Sequence, residues 1–341
     1  MCPPTSRLFA VQATFDAGRG VIATSSIPQN TVILRSEQPS AHVLFRQYRK
    51  EVCARCFSYD RGRTLPVRDN ASGKLFCSSE CQSGWIEEQG RLGSEAWRQF
   101  HSFLQLKSKA VTNVHSLPML AAKPTRDEVQ AAWDEAEGRA GSIRRERSSA
   151  SKPRAEKVFQ RALQQPWTQA VDPDILGYLL SGILEYARHP EQWPSEVCHL
   201  AMDETPYRSI PDLIAHYNSF LQLTAIVPIE LLPSVTPQVC QTLINAASHN
   251  SFGIHSGSED GDEYLGYGLY PEASYFNHSC RPNIAKRRAG SAWEFRAVRD
   301  IDVGEECCIT YLGGDEKELT VVERRSRLKQ FWEFESPPDL H

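Results

Sequence analysis

The chain has 341 residues, which is enough for one large hydrophobic core or two modest ones. Hydrophobic residues make up 40%, charged residues make up 23%, and the formal net charge is −4, so the composition gives no support to nucleic-acid binding through a basic surface. No apolar run approaches the roughly 18 residues of a membrane span, and the first residues lack the apolar core of a signal peptide. We therefore expect neither a membrane protein nor a secreted protein.

The beginning of the chain is predicted to form strands. Short runs rich in β-branched residues alternate there with Gly, Pro and Asn, which is typical of strands and hairpins. Between two of these runs lies Gly18-Arg19-Gly20, whose glycines let the backbone turn tightly or approach a ligand closely. By itself, such a run indicates only a turn.

The next segment, about 46–100, carries four cysteines in two close pairs: Cys53, Cys56, Cys77 and Cys81. Two thiolate pairs suit a tetrahedral Zn²⁺ site. A segment with so few apolar residues needs a bound metal to stabilise its fold. The other six of the ten cysteines are scattered. Without a secretion signal we expect reduced thiols rather than a disulfide framework.

The segment from about 100 to 245 is predicted to be mainly helical, because its apolar residues recur at intervals of three and four. Within it, residues 123–157 are charged and rich in small side chains. We predict a mobile loop there, with its basic run a solvated linker rather than a binding patch.

Strand-like character returns after Asn250, and a charged terminal helix is predicted from Val321 to Phe334. Residues 277–283 have the sequence Asn-His-Ser-Cys-Arg-Pro-Asn. An isolated Asn-His pair would indicate a capped turn with a core histidine. The motif is followed about 20 residues later by Gly-Glu-Glu at 304–306 and then by Ile-Thr-Tyr at 309–311, and motifs in this arrangement rarely coincide by chance.

These motifs together resemble the C-terminal half of a SET domain, the fold of most protein-lysine methyltransferases. The order of a strand-rich start, a cysteine-rich insert, a helical block and a returning strand-rich segment resembles the SMYD-type SET proteins, in which a MYND zinc module splits the SET domain. The resemblance implies an α+β fold, namely a SET-domain β-fold of short strands interrupted by a small zinc module and a helical insert, with a C-terminal helix. The implied domains are 5–45, the N-terminal SET part; 46–100, the MYND-like zinc module; 101–245, the helical insert; 246–312, the C-terminal SET part; and 313–341, a post-SET-like helix without zinc cysteines.

The resemblance also implies a methyl donor, S-adenosylmethionine, and the residues around it. The implied cofactor-binding residues are Gly18, Arg19, Gly20, Asn250, Ser274, Asn277, His278 and Phe334. Tyr311 is the implied catalytic residue, acting as an orienting group and channel wall rather than as an obligatory base. Tyr270, Trp332 and Phe334 are the implied walls of the lysine channel. A dry aromatic channel favours the neutral amine that must attack, and alignment of the reacting atoms supplies much of the rate.

The sequence departs from the family in three places. A full MYND module has two zinc sites, but only the cysteines of the first are present in this chain, so we expect one structural Zn²⁺. The family's post-SET zinc cysteines are replaced by Ser336, Pro338 and His341, so we expect no zinc there and predict that Cys280 packs as a small hydrophobic residue. Trp332 stands where the family usually has a second channel tyrosine.

Two functions from different classes stay open. The first is an S-adenosylmethionine-dependent methyltransferase acting on lysine side chains of histone or non-histone proteins. The alternative is a catalytically weak or inactive SET-like scaffold whose zinc module binds peptide partners. We expect a monomer of the nucleus, the cytoplasm or both, with a lysine-bearing protein substrate (histone tails included), a peptide partner for the zinc module, and neither direct nucleic-acid nor membrane binding.

Overall fold

A computed structural model of the chain describes residues 3–4, 6–14, 18–108, 122–149, 161, 164–165, 170–257, 263–312 and 319–332. In chain order its strands are β1 (Phe9–Ala13), β2 (Arg19–Ala23), β3 (Val32–Ser36), β4 (Ala41–Leu44), β5 (Val67–Arg68), β6 (Leu75–Phe76), β7 (Ser251–His255), β8 (Tyr264–Leu269), β9 (Ile284–Ala289), β10 (Ala292–Ala297) and β11 (Glu306–Cys307). Its α-helices are α1 (Ser79–Leu106), α2 (Arg126–Ser149), α3 (Pro173–Arg188), α4 (Trp193–Glu196), α5 (Ile210–Ile226), α6 (Pro237–Asn250) and α7 (Val321–Trp332). The predicted α+β class, with short antiparallel strands and a C-terminal helix, is confirmed.

The chain forms two compact units. The first contains residues 1–39, 192–201 and 248–341, and the second contains residues 40–191 and 202–247. In the part of the chain that the structure describes, no helix has both the length and the apolar character needed to cross a membrane.

Short antiparallel strands build the first unit. One sheet has the order β1-β2-β11, another has the order β3-β10-β9, and β7 pairs with β8 as a hairpin. The β9–β10 connection is tight, since Ala289 lies opposite Ala292, and Gly290 takes a φ of 71° that suits the two-residue hairpin turn.

Aromatic side chains fill the core under these strands. The Phe276 ring stacks on Phe295 of β10, with 4.6 Å between ring centroids, and meets Phe9 of β1 edge-on at 6.1 Å. Phe252 of β7 also contacts Phe295, at 6.1 Å. Residue 276 immediately precedes the Asn-His motif, so this core anchors the base of the motif.

Helices and the cysteine-rich segment make up the second unit. Helix α3 is buried over most of its length, which explains why its sequence is apolar on every side. Its start is fixed by Asp172, whose carboxylate accepts the N–H groups of Asp174 and Ile175 at 3.0 and 3.1 Å. Helix α1 begins at a similar cap, where the Ser78 hydroxyl accepts the N–H of Cys81 at 3.3 Å.

The prediction of a mobile loop at 123–157 is wrong over most of its length, because residues 126–149 form helix α2. The helix buries a stripe spaced at four, three and four residues: Val129, Trp133, Ala136 and Ala140. Two of these four residues are alanines, so the apolar pattern is weak beside the charges on the other face. Residues 150–157 of the predicted loop lie outside the described residues.

Tertiary contacts hold α2 against α5. The buried Trp133 Nε1 donates to the Tyr207 hydroxyl at 2.8 Å, and its ring lies 5.7 Å from that of Phe220. Arg144 donates to the Val235 carbonyl at 2.6 Å, and Arg147 donates to the Thr224 carbonyl at 2.7 Å. These arginines of the predicted solvated linker therefore dock the helix.

We predict that Ala136→Asp lowers the free energy of unfolding by about 2 kcal/mol or more, because it places a carboxylate in an apolar contact. Ala131→Asp on the exposed face of α2 is the matched control, and its effect should stay within about 0.5 kcal/mol. Urea titration of the two variants measures both values. Equal and small effects would show that 126–149 does not pack as a helix in solution.

Candidate active site

Two segments of the first unit run side by side and form the frame of the site. The Ile309 N–H donates to the Asn277 carbonyl, and the Ser279 N–H donates to the Ile309 carbonyl, each at 2.9 Å. His278 and Ile309 form a parallel bridge, and the Ile284 N–H donates to the Cys308 carbonyl at 3.0 Å. The Asn-His motif and the strand that ends in Tyr311 are thus joined by backbone hydrogen bonds.

The buried Asn283 side chain reinforces this pairing. Its amide nitrogen donates to the Glu306 carbonyl, and its amide oxygen accepts the Cys308 N–H, each at 2.8 Å. Both ends of the amide are used, so the side chain satisfies backbone groups that would otherwise be left without partners. This requirement explains why an asparagine closes the motif.

His278 connects the motif to Tyr311. Its Nδ1 accepts the Tyr311 backbone N–H at 3.0 Å, which places the proton of the neutral imidazole on Nε2. Nε2 in turn lies 3.3 Å from the Cys280 sulfur. Cys280 packs in a buried cluster with Leu312 and Leu328, which agrees with its predicted role as a small hydrophobic residue.

Tyr311 is fixed at both its backbone and its side chain. Its hydroxyl donates to the Phe276 carbonyl at 2.9 Å, and its ring centroid lies 5.4 Å from that of Trp332. Burial raises the pKa of Tyr311 above its usual range, so the phenol is neutral at physiological pH. A neutral hydroxyl that donates one hydrogen bond can still accept others.

The N-terminal loop is attached to the motif through Asn277. The Asn277 amide nitrogen donates to the Arg19 carbonyl at 3.0 Å and to the Glu306 carboxylate at 2.7 Å. Gly20 lies under this amide, and a Cβ there would overlap both Asn277 and Glu306. The glycine is therefore required for close approach of backbone and side chains.

The adjacent carboxylates, Glu305 and Glu306, have structural partners. Glu305 accepts from Arg299 at 3.0 Å and from the Asp302 backbone N–H at 3.2 Å, while Glu306 accepts from Asn277. The hydrogen bond from Arg299 is the largest cause that lowers the pKa of Glu305. These hydrogen bonds give both carboxylates a role in stabilising the turn and its neighbours.

A cavity of about 410 Å³ opens in the first unit, and its size falls in the range of small-molecule sites. Its lining includes Asn250, Ser274, Phe276, Trp293, Tyr311 and Trp332. Two buried polar atoms of lining residues, Ser251 Oγ and Trp293 Nε1, have no hydrogen-bond partner among the described residues. Buried donors and acceptors in this position fit a polar ligand in the cavity.

Two predicted cofactor residues form one corner of the cavity. The Ser274 hydroxyl lies 2.9 Å from the Tyr270 carbonyl and 3.3 Å from the Asn250 carbonyl, to both of which it can donate. The Asn250 amide donates to the Ala201 carbonyl at 2.8 Å. A short segment far away in the sequence, 192–201, thereby holds Asn250 in place within the same unit.

The structure divides the predicted site residues into groups. Asn250, Ser274, Tyr311 and Trp332 line the cavity. His278 holds the Tyr311 backbone through a hydrogen bond, and Arg19 and Gly20 lie against Asn277. Gly18 takes a φ of 73° in the loop before Arg19 and is not among the lining residues. Phe334 lies outside the described residues.

Tyr270 was predicted as a channel wall but occupies a different place. It is fully buried, its hydroxyl donates to the Ser291 carbonyl at 2.5 Å, and its ring packs on Phe252 at 5.9 Å. It is not among the described residues that line the cavity. The prediction rested on residue type, and an aromatic side chain next to a motif can fill the core as readily as it can line a channel.

The cavity lining also contains residues that were not predicted, among them Phe252, His255, Tyr264, Lys286 and Trp293. Phe252 follows Asn250 closely in the sequence, so position alone could have suggested it. His255 lies on the same strand, β7, whereas Tyr264, Lys286 and Trp293 come from three other strands that only the tertiary fold brings to the cavity.

The four-cysteine cluster lies in the second unit. The sulfur atoms of Cys53, Cys56, Cys77 and Cys81 lie within 4.8 Å of one another, with 3.6 Å between Cys56 and Cys77 and 3.5 Å between Cys77 and Cys81. Four thiolates about 2.3 Å from a tetrahedral zinc would lie roughly 3.8 Å apart. The donor set and its spacing fit one zinc ion, as in a MYND-like module.

Comparison with known proteins identifies the family. A family model of the SET domain matches residues 18–312. The chain belongs to the SET-domain family. The potential protein lysine methyltransferase SET6 of Saccharomyces cerevisiae is 25% identical over 362 residues, which cover 97% of this chain and 94% of the yeast protein.

Other relatives match shorter parts of this SET-domain protein. Histone-lysine N-methyltransferase SMYD3 of Homo sapiens is 46% identical over 86 residues, covering 25% of this chain and 19% of the human protein. Histone-lysine N-methyltransferase ASHR2 of Arabidopsis thaliana is 28% identical over 127 residues, covering 34% of this chain and 31% of the plant protein. The resemblance to SMYD-type SET proteins is confirmed by these matches together with the cysteine cluster.

We predict that Cys77→Ser releases about one zinc ion per chain, because three thiolates hold zinc less tightly than four. Metal analysis of the purified variant measures this loss. Cys198→Ser removes an exposed thiol outside the cluster and should leave the zinc content unchanged. Equal zinc content in the wild type and the Cys77 variant would contradict the assignment of these ligands.

We predict that Gly20→Ala lowers the free energy of unfolding by about 1–3 kcal/mol, because its Cβ meets Asn277 and Glu306. Gly138→Ala is the matched control. It lies on the exposed face of helix α2 with no atom within 4 Å of the new Cβ, so it should raise stability by about 0.5–1 kcal/mol. Urea unfolding of both variants measures the two changes in the free energy of unfolding. Changes of the same sign in both variants would contradict the close approach at Gly20.

Proposed function

We propose that this protein is an S-adenosylmethionine-dependent methyltransferase that modifies lysine side chains of proteins. The observation that carries the proposal is the convergence of Asn250, Ser274 and Tyr311 on one cavity, with Tyr311 held by His278 and the Phe276 carbonyl. Membership of the SET-domain family and relatives named as lysine methyltransferases support the same reaction.

The residues present fit the cofactor. When bound, S-adenosylmethionine supplies a methyl group on a positively charged sulfur that is open to attack by an amine. Asn250 and Ser274 would hold it at the cavity wall. The loop at 18–20, which is joined to Asn277 by a hydrogen bond, would contribute to the same binding site. The buried Ser251 hydroxyl and Trp293 indole N–H, which lack protein partners among the described residues, would bind its polar groups.

The lysine amine must be neutral to attack. Phe276, Tyr311 and Trp332 give the cavity aromatic walls, and an apolar environment disfavours the charged ammonium form. The Tyr311 hydroxyl and the Phe276 carbonyl offer acceptors for the N–H groups of the amine, which turns its lone pair toward the methyl group. Alignment of the reacting atoms then supplies most of the rate, with no general base required from the chain.

Trp332 gives the channel a wall without a hydroxyl. Its ring lies at an interplanar angle of 37° to that of Tyr311, so the two rings form adjoining faces. Aromatic faces attract a methylated ammonium product through cation–π interactions. The substrates that we propose are histone or non-histone proteins with an accessible lysine, in the nucleus, the cytoplasm or both.

We predict that S-adenosylmethionine binds the purified zinc-loaded protein, and that Tyr311→Phe keeps this binding while lowering methyl transfer about 100-fold or more. Calorimetry measures binding, and transfer of a radiolabelled methyl group to a peptide library or cell extract measures activity. Tyr217→Phe, in helix α5 of the second unit, is the matched control and should leave both unchanged.

The alternative function is decided by the same measurements. If the wild-type protein bound no cofactor, the enzyme function would be rejected and the SET-like scaffold with a peptide-binding zinc module would be favoured. The Trp332 replacement and the missing post-SET cysteines would then explain the loss of activity. Normal transfer by Tyr311→Phe would leave the activity standing but contradict an orienting role for the Tyr311 hydroxyl.

A further inference from the structure

A second cavity, of about 100 Å³, lies within the second unit and shares no lining residue with the cavity proposed for the cofactor. Its walls come from β4 and the turn after it, the β5–β6 hairpin, α1 and the start of α3. One buried water needs roughly 10–15 Å³ of cavity volume, so this space holds a small polyatomic group and is too small for a peptide segment.

The walls of this cavity are positively charged. Arg46, Arg49 and Lys74 line it, and the one acidic lining residue among those described is Asp174. Burial raises the pKa of Asp174 to about 6, and its carboxylate already accepts the Arg46 backbone N–H at 2.8 Å. The carboxylate therefore offsets only part of the positive charge.

The cations lie close enough to affect one another. Burial is the largest cause that lowers the pKa of Arg49, and the positive charges of Arg46 and Arg68 lower it further. Burial and then Lys74 lower the pKa of His42, another lining residue, to about 3, so its imidazole is neutral at pH 7. Like charges gathered around one cavity repel one another, and an anion bound between them offsets that repulsion.

The donors of this cluster lack acidic partners. Arg46 Nη1 is buried and has no hydrogen-bond partner within the described part of the chain. The Lys74 ammonium lies over aromatic rings instead, 3.7 Å from the Trp97 ring centroid and 5.8 Å from that of Trp85. Among the described residues, neither these two cations nor Arg49 forms an ion pair within 4.0 Å. A buried guanidinium nitrogen without a partner is costly and indicates a missing acceptor.

We propose that this cavity is a binding site for a phosphate group, held by Arg46, Arg49 and Lys74. Phosphate carries up to two negative charges, which match three cations offset by one carboxylate. Its tetrahedral oxygens accept hydrogen bonds from several directions, and the cations come from two walls, Arg46 and Arg49 from the turn after β4 and Lys74 from the β5–β6 hairpin. A carboxylate carries one charge in one plane and matches the site less well.

The second cavity also accounts for local features that have no role in the site proposed for methyl transfer. Gly73 has a φ of 70°, and a Cβ there would overlap the His101 ring, so the β5–β6 hairpin closes directly on α1. The Lys74 side chain projects from this hairpin toward Trp97 of the same helix. Phosphate binding would thus connect the cysteine-rich segment with the helices of its own unit.

The test is calorimetric titration of the zinc-loaded full chain at pH 7 with inorganic phosphate, with chloride added to match ionic strength in the reference. We expect saturable binding to the wild type and an increase of the dissociation constant of at least tenfold in Arg46→Gln and in Arg49→Gln. Arg91→Gln is the matched control, because its side chain is 83% exposed and lies outside the cavity lining. Its dissociation constant should stay within about twofold of the wild-type value, as for other exposed charge changes.

Arg49 is the more exposed of the two target arginines, so its variant keeps the test valid if Arg46→Gln folds poorly. Ethyl phosphate serves as a second probe, since tighter binding of the ester would assign the site to a phosphate carried on a larger molecule, and tighter binding of inorganic phosphate would assign it to the free ion. No phosphate or ester binding beyond the chloride reference would overturn the proposal. Equal weakening in the Arg49 and Arg91 variants, or acetate binding as tightly as phosphate, would overturn it as well.

Discussion

The parallel pairing of the segment after Phe276 with the segment ending at Tyr311 is the constraint on which the first unit depends. Backbone hydrogen bonds join Asn277, Ser279 and Ile309, and Asn283 satisfies the neighbouring backbone groups from its side chain. The pairing fixes the position of Tyr311, because its backbone N–H donates to His278 and its hydroxyl donates to the Phe276 carbonyl. The catalytic proposal follows from this geometry, because orientation of an amine requires a fixed hydroxyl.

The parts of the fold that could be predicted are those whose chemistry is local. The cysteine pairs imply a metal because thiolates at that spacing have few other uses in reduced protein, and the sulfur atoms of the four cysteines do converge. The motif 277–283 indicates a turn, and the side chains of Asn277, His278, Ser279 and Asn283 each hydrogen-bond to a backbone group. For Gly20 the sequence predicts only that the backbone can turn tightly or approach another group closely, and the residues that it approaches, Asn277 and Glu306, are distant in the sequence.

The parts that could not be predicted depend on long-range packing. Helix α2 has the composition of a loop, and only contact with Phe220 and Tyr207 reveals that Trp133 belongs to a buried stripe. Tyr270 is an aromatic residue that could line a channel, but it lies in the core, where its hydroxyl donates to the Ser291 carbonyl. The cationic cavity of the second unit had no sequence signal, since Arg46 and Lys74 are distant in the sequence, with the first cysteine pair between them.

The central claim is that the cavity bordered by Asn250 and Tyr311 holds the methyl donor. A crystal structure of the protein grown with S-adenosylhomocysteine, the demethylated product, tests it most directly. We expect density for the product in that cavity, with the amino-acid end near Asn250 and the sulfur facing the Tyr311 hydroxyl. Product bound elsewhere on the chain, or a cavity closed by rearrangement of Tyr311 and Trp332 with no product bound, would contradict it.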